Sequence, residues 1–121
     1  MAGKSSEIIY ASAARTATPT AVSRRVDRYR GLLLLIDVTA VTATPSVVVT
    51  IEGVLSDGSV YTILTSAAIT ATGRTALKVY PGITAAANVS VSDVLPQNVK
   101  ITFTHGDADS ITYLVDLVLI P

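Results

Sequence analysis

The sequence predicts an all-β protein: an antiparallel β-sandwich or jelly-roll-like barrel of six to eight strands, led by an extended N-terminal arm. Three observations carry that expectation. Half of the residues are hydrophobic but only 5% are aromatic, so the apolar content is mainly Val, Leu, Ile and Ala, diluted by Thr and Ser. Side chains branched at Cβ are stiff in the way pleated strands favour. Several stretches alternate apolar and polar residues with the period of two that turns one strand face toward a core. Turn residues separate these stretches at the spacing of a sandwich or barrel.

The strand signals begin at Leu32. Leu32–Ile36 followed by Asp37–Val41 reads as one long strand, apolar on both faces at its start. Pro45 marks a turn, and Ser46–Leu55 alternates, with Val47, Val49, Ile51 and Leu55 expected on one side and Thr50 and Glu52 on the other. Asp57-Gly58 then separates this run from Ser59–Thr65, the strongest short hairpin signal in the chain. Ala67–Thr72 and Arg74–Tyr80 flank Gly73 and predict two further strands with a tight connection; Tyr80-Pro81-Gly82 ends the second. Residues 83–97 read as a long connection with one helical turn or a short strand. Asn98–Thr104 alternates again and places Val99, Ile101 and Phe103 inward. After the turn cluster Gly106–Ser110, a last strand runs to Ile120 with Ile111, Tyr113, Val115, Leu117 and Leu119 on one face.

At 121 residues a single folding unit is expected, without cysteine and therefore without disulfides. Folding must rest on packing, and assembly with partners is a familiar source of added stability. The polar start and the short Ile8-Ile9-Tyr10 run do not resemble a signal peptide. No stretch has the length of a membrane helix, and the aromatic girdles of a membrane barrel are missing. The chain reads as soluble, with no membrane partner.

Net charge is zero but unevenly placed. Residues 1–30 carry six cations against two anions, a balance of +4, and residues 31–121 carry three against seven, a balance of −4. This divides the chain into a basic N-terminal arm, 1–30, and a β-sandwich body, 31–121. Within the arm helical spacing is weak and confined to Thr20–Tyr29. Arg24, Arg25, Arg28 and Arg30 form its one charged constellation. A nucleic-acid role would need basic charge together with stacking aromatics, and only Tyr29 is at hand beside an acidic body. An arm that docks these arginines on an acidic protein surface fits better, and it would be removable without unfolding the body.

Two segments, Leu32–Ile36 and Leu114–Ile120, are apolar on both faces, whereas a two-layer sandwich buries only one face of each strand. The other face must be covered by the arm, by the 83–97 connection or by another subunit. Leu33, Leu35, Leu114, Val118 and Ile120 are the expected subunit contacts.

Catalytic chemistry finds little to stand on, and no catalytic, cofactor-binding or metal-ligating residues are expected. His105 is the only histidine and reads as a solvated strand-end residue. Asp107-Ala-Asp109 opens like a calcium loop, but Thr112 and Val118 stand where the loop needs Gly and Glu. No nucleophile elbow, P-loop or dinucleotide fingerprint occurs.

From Gly31 onward the chain resembles a family of small tailed-phage virion proteins, whose genes lie among head and neck genes. The matching stretches are Gly31–Thr39, Pro45–Gly53, Tyr61–Leu64, Thr72-Gly73, Val79–Asn88, Leu95-Pro96 and the strand at Thr112-Tyr113. The resemblance implies a non-enzymatic structural part of the particle and lends no functional residues. On this basis the expected function is a capsid decoration (cement) protein on the virion's capsid surface, made in the host cytoplasm. Its partners would be the major capsid protein or other virion proteins, and further copies of itself, most naturally as a trimer. A neck or tail component is the alternative within that class. A carbohydrate-binding sandwich on the particle would need surface aromatics, for which only Tyr61 and Tyr80 qualify.

Overall fold

The computed structural model describes residues 4–121. The described chain is all-β: nine strands in two sheets packed face to face as a sandwich. They are β1 (Ser5–Arg15), β2 (Val22–Arg25), β3 (Gly31–Val41), β4 (Val47–Val54), β5 (Val60–Thr65), β6 (Gly73–Val79), β7 (Ser90–Val91), β8 (Asn98–His105) and β9 (Ile111–Ile120). One sheet has the order β1-β9-β3-β6-β7 and the other β2-β8-β4-β5. All pairings are antiparallel except the two-residue β6–β7 pair.

Alternation builds the core as expected. Leu32, Leu34 and Ile36 of β3, Leu77 and Val79 of β6, and Ile111, Tyr113, Val115 and Leu117 of β9 meet Val47, Val49 and Ile51 of β4 and Val99, Ile101 and Phe103 of β8. Each buried aliphatic or aromatic side chain of this kind contributes about 1.5–3 kcal/mol. The expected hairpin is present: Leu55 N–H donates to Ser59 O at 2.8 Å and Gly58 N–H to Leu55 O at 2.9 Å. Gly58 has φ +89°, the left-handed conformation that favours glycine, and Asp57 Oδ1 accepts from Ser59 N–H and Oγ.

Three local expectations change. Leu55 lies beyond the end of β4 and is half exposed; Gly53 takes the inward position before it, opposite Tyr61. Ala67–Thr72 is not a strand. Its one ladder contact is the Val47–Ile69 bridge, because Ser66 Oγ takes the Val49 N–H at 2.9 Å. The 83–97 connection forms the short strand β7, and the Thr20–Tyr29 stretch forms β2 rather than a helical turn.

The segment read as an arm is laid into the sandwich; its residues 1–3 lie outside the described residues. β1 runs along β9 with irregularities between Ile8 and Tyr10 and between Tyr10 and Ala13, while β2 crosses to the other sheet and pairs with β8. Val26 is fully buried and its N–H donates to Gln97 O at 2.8 Å. Residues 5–30 therefore supply two edge strands and a core residue, and removing them would strip β9 and β8 of ladder partners. The body alone, residues 31–121, contains seven strands.

Candidate docking interface

The two doubly apolar segments are neighbours. β3 and β9 lie side by side in the five-stranded sheet with Leu33 opposite Val118, Leu35 opposite Asp116 and Asp37 opposite Leu114. On the other side of β3 the register sets Lys78 opposite Leu33, Ala76 opposite Leu35 and Arg74 opposite Asp37. The odd-numbered residues of β9 fill the core, so these side chains form the sheet's outer face.

Leu33, Leu114, Val118 and Ile120 are half-buried and Leu35 is 38% exposed. Ile8, in register with Asp116, extends the stripe onto β1 and is 57% exposed. Among the described residues, neither the N-terminal segment nor the 83–97 connection closes over it: β1 joins the sheet as an edge strand, and β7 lies at the far edge. Sequence reasoning missed Ile8 because the segment carrying it was read as an arm. Two shallow grooves mark the face. One, about 300 Å³, is lined by Leu35, Asp37, Arg74, Leu114 and Asp116. The other, about 270 Å³, lies around Leu33, Lys78, Tyr80, Ile83 and Ile120.

Asp116 stands in the middle of this stripe. Its Oδ1 is shielded from solvent and has no hydrogen-bond partner among the described residues. A carboxylate oxygen in that position is costly unless a donor reaches it. The face carries a loose ion pair, Arg74 Nε to Asp37 Oδ1 at 3.7 Å, with the Arg74 side chain 85% exposed.

The four arginines separate into two groups. Arg24 grips Glu7 with both arms of its guanidinium, Nε to Oε1 at 2.8 Å and Nη2 to Oε2 at 2.6 Å, joining β2 to β1 across the sheets. That bond holds the Glu7 carboxyl below its ordinary range and raises Arg24. Arg25 pairs with Asp27 at 3.1 Å. Arg28 and Arg30 are exposed and make no ion pair among the described residues.

A second constellation, not anticipated from sequence, closes the sandwich between β1, β8 and β9. Phe103 and Tyr113 stack at 5.2 Å between centroids, and Tyr10 meets Phe103 edge-on at 5.3 Å. The Arg15 guanidinium lies over Tyr113 at 4.5 Å and donates to Tyr113 O at 2.8 Å. His105 Nε2 is 3.0 Å from Tyr113 Oη, and its backbone N–H donates to Thr18 Oγ1. Burial pushes the Tyr113 hydroxyl up to about 12. Partial burial, then the Arg15 charge, hold His105 below its ordinary 6.5, with Asp107 opposing. His105 is thus a packed partner of Tyr113 rather than a solvated strand-end residue. A sequence signal existed in the gathering of three of the six aromatics with the only histidine, but their spacing of up to a hundred residues concealed it.

The aspartates of the 106–110 turn brace loops. Asp109 Oδ2 accepts from Thr44 N–H, and Asp107 Oδ1 accepts from Asp109 N–H. Tyr61 lies on β5 and Tyr80 just past the end of β6, in the other sheet, and each stands where a side chain on a nearby glycine, Gly53 or Gly31, would otherwise be. Comparison of the chain with protein-family models, with curated proteins and with solved structures returns no match.

Proposed function

We propose that the chain is a structural virion protein of a tailed bacteriophage, a capsid decoration protein that docks on the shell and associates with copies of itself. The observation that carries this reading is the outer face of the β3–β9 region, aliphatic and uncovered in a single copy. A fully covered Leu, Ile or Val contributes about 1.5–3 kcal/mol, and half-covered ones leave part of that for a partner to realise. Contacts of modest strength suffice on a symmetric lattice, where repetition supplies avidity.

The docking role falls to the basic segment, and within it to Arg28 and Arg30, whose guanidiniums are free to meet shell carboxylates in two-pronged fashion. Arg24 already holds Glu7 and so ties β2 to β1, and Arg25 is paired with its near neighbour Asp27.

The test is addition of purified protein to shells that lack it. Saturable binding is expected, and reversal of both charges (Arg28→Glu with Arg30→Glu) is expected to abolish it while the β circular-dichroism spectrum persists. Absence of binding, with imaging of intact particles that places the chain at the neck or tail, would replace the decoration role with that of a neck or tail component.

A further inference from the structure

The outer face of the five-stranded sheet carries both an unanswered acceptor and unanswered donors, arranged with a symmetry of their own. β3 runs down the middle. On one side, at the level of Leu35, stands Asp116 of β9 with its shielded, unpartnered Oδ1. On the other side, at the same level, stands the small residue Ala76 of β6, with Arg74 one outward position to one side and Lys78 one to the other. Lys78 makes no ion pair among the described residues, and Arg74 makes only the long contact to Asp37.

A two-fold axis running parallel to β3, with the β3 strands of two copies facing each other, superposes the β6 side of one copy on the β9 side of the other and preserves the level along the strands. Ala76 of the second copy then lies over Asp116, and its Arg74 and Lys78 flank that carboxylate from either side. The operation is isologous, so the same pairing repeats at the symmetric position. Leu33 and Leu35 of the two copies meet across the axis, and Val118, Leu114 and Ile120 are covered by the second copy's β6 side.

We propose that this face is a self-complementary interface: two copies pack sheet to sheet about that axis, with Arg74 and Lys78 of each neutralising Asp116 of the other. This rests on the reading of the face as a subunit contact, and it makes the symmetry of that contact two-fold rather than three-fold. The occupant is a second copy because the face itself supplies, at matching positions, the cations its shielded carboxylate lacks.

Charge reversal tests it with purified full-length chain. Sedimentation is expected to give twice the chain mass for the wild type. Asp116→Lys alone, and Arg74→Glu with Lys78→Glu alone, are each expected to weaken association at least about a hundredfold, because like charges then oppose each other across the axis. An equimolar mixture of the two variants is expected to restore a dimer, since residue 116 of each copy then again faces residues 74 and 78 of opposite sign, while the facing of Asp37 on Asp37 across the axis is the same in every species. Far-ultraviolet circular dichroism on each variant separates lost association from lost folding, and Asp116→Asn serves as the milder variant if the lysine does not fold; its dimer should be weakened less. A wild-type monomer, a trimer indifferent to the reversals, or a mixture that stays monomeric although both variants are folded would overturn the inference. Shell binding is read separately: a wild-type chain that decorates shells as a monomer sinks the interface and spares the proposed function, and a restored dimer that ignores shells does the reverse.

Discussion

Arg15→Ala probes what holds the N-terminal strand to the sandwich. Arg15 donates through Nη1 to Tyr113 O at 2.8 Å and Ala13 O at 3.1 Å, and through Nη2 to Ala11 O at 2.7 Å. Its guanidinium also faces the rings of Tyr113 and Tyr10 at 4.5 and 5.3 Å. The partly buried bond to Tyr113 O is charge-assisted and contributes about 1.5 kcal/mol, and the two exposed ones about 0.5 kcal/mol each. The cation–π contact adds about 0.5–1 kcal/mol. The loss is therefore about 3 kcal/mol, measured as a shift in urea midpoint at constant slope. A second readout tells position from mere packing. Removing the nearby positive charge is expected to raise the His105 pKa toward 6.5, though not fully, since burial is the larger cause of its depression. Arg15→Lys keeps the charge but lacks the planar fork, so it should lose part of the stability and leave the His105 titration in place. A loss below about 0.5 kcal/mol in Arg15→Ala, well outside the sum of these contributions, with an unmoved His105 titration, would refute the reasoning.

Three further outcomes follow from the same geometry. Because His105 binds its proton less readily folded than unfolded, the folded chain carries fewer protons just below pH 6.5, and stability should fall there as pH falls until the folded His105 also titrates. His105→Gln should flatten that part of the profile in urea melts at stepped pH. Gly31→Ala should destabilise by more than about 2 kcal/mol, as overpacking does, because the new Cβ would overlap the Val79 carbonyl; Gly53→Ala should cost less, since only the mobile end of the Tyr61 ring is in the way. Val26→Ala should cost about 2 kcal/mol through two lost methyl groups and a cavity, whereas a residue in a free arm would cost nothing measurable.

Strand identity was legible wherever one face is buried. Period-two alternation located β4, β8 and β9 and their inward residues apart from Leu55, and Asp57-Gly58 located the hairpin, because burial and turn chemistry are local consequences of residue type. The first thirty residues were not legible. β1 has an apolar pattern on neither face, and its burial is slight along its whole length. Its place is fixed by pairing with β9 and by its own Arg15 reaching Tyr113, contacts about a hundred residues away in the chain. Val26 is one apolar residue among arginines, and nothing local announces that it is fully buried. For the candidate face, the excess of aliphatic residues on β3 and β9 was visible, and the five residues expected from it lie together on the outer face. The pairing of Asp116 with Leu35 and of Ala76 with the same Leu35 was not, since register across three strands is a tertiary fact.

The edges of the five-stranded sheet bear on how copies can meet. One edge is β7, two residues long, and offers little to pair with. The other is β1, eleven residues long, which would ordinarily invite another strand. Two features blunt it. Register irregularities at Ile8/Tyr10 and Tyr10/Ala13 break its regular ladder, and the Arg15 side chain curls back to occupy the carbonyls of Ala11 and Ala13. With both edges closed to ladder growth, the aliphatic face is the remaining surface through which this sheet can gain contact, which favours packing sheet to sheet over edge to edge. Arg15→Ala should then have a consequence beyond lost stability: with the two carbonyls freed, higher-order β association should rise with concentration, detectable as light scattering at concentrations where the wild type stays at its lowest assembly state. Asp116→Lys, which leaves the edge capped, should show no such scattering, and scattering in that variant instead of in Arg15→Ala would invert the assignment of face and edge.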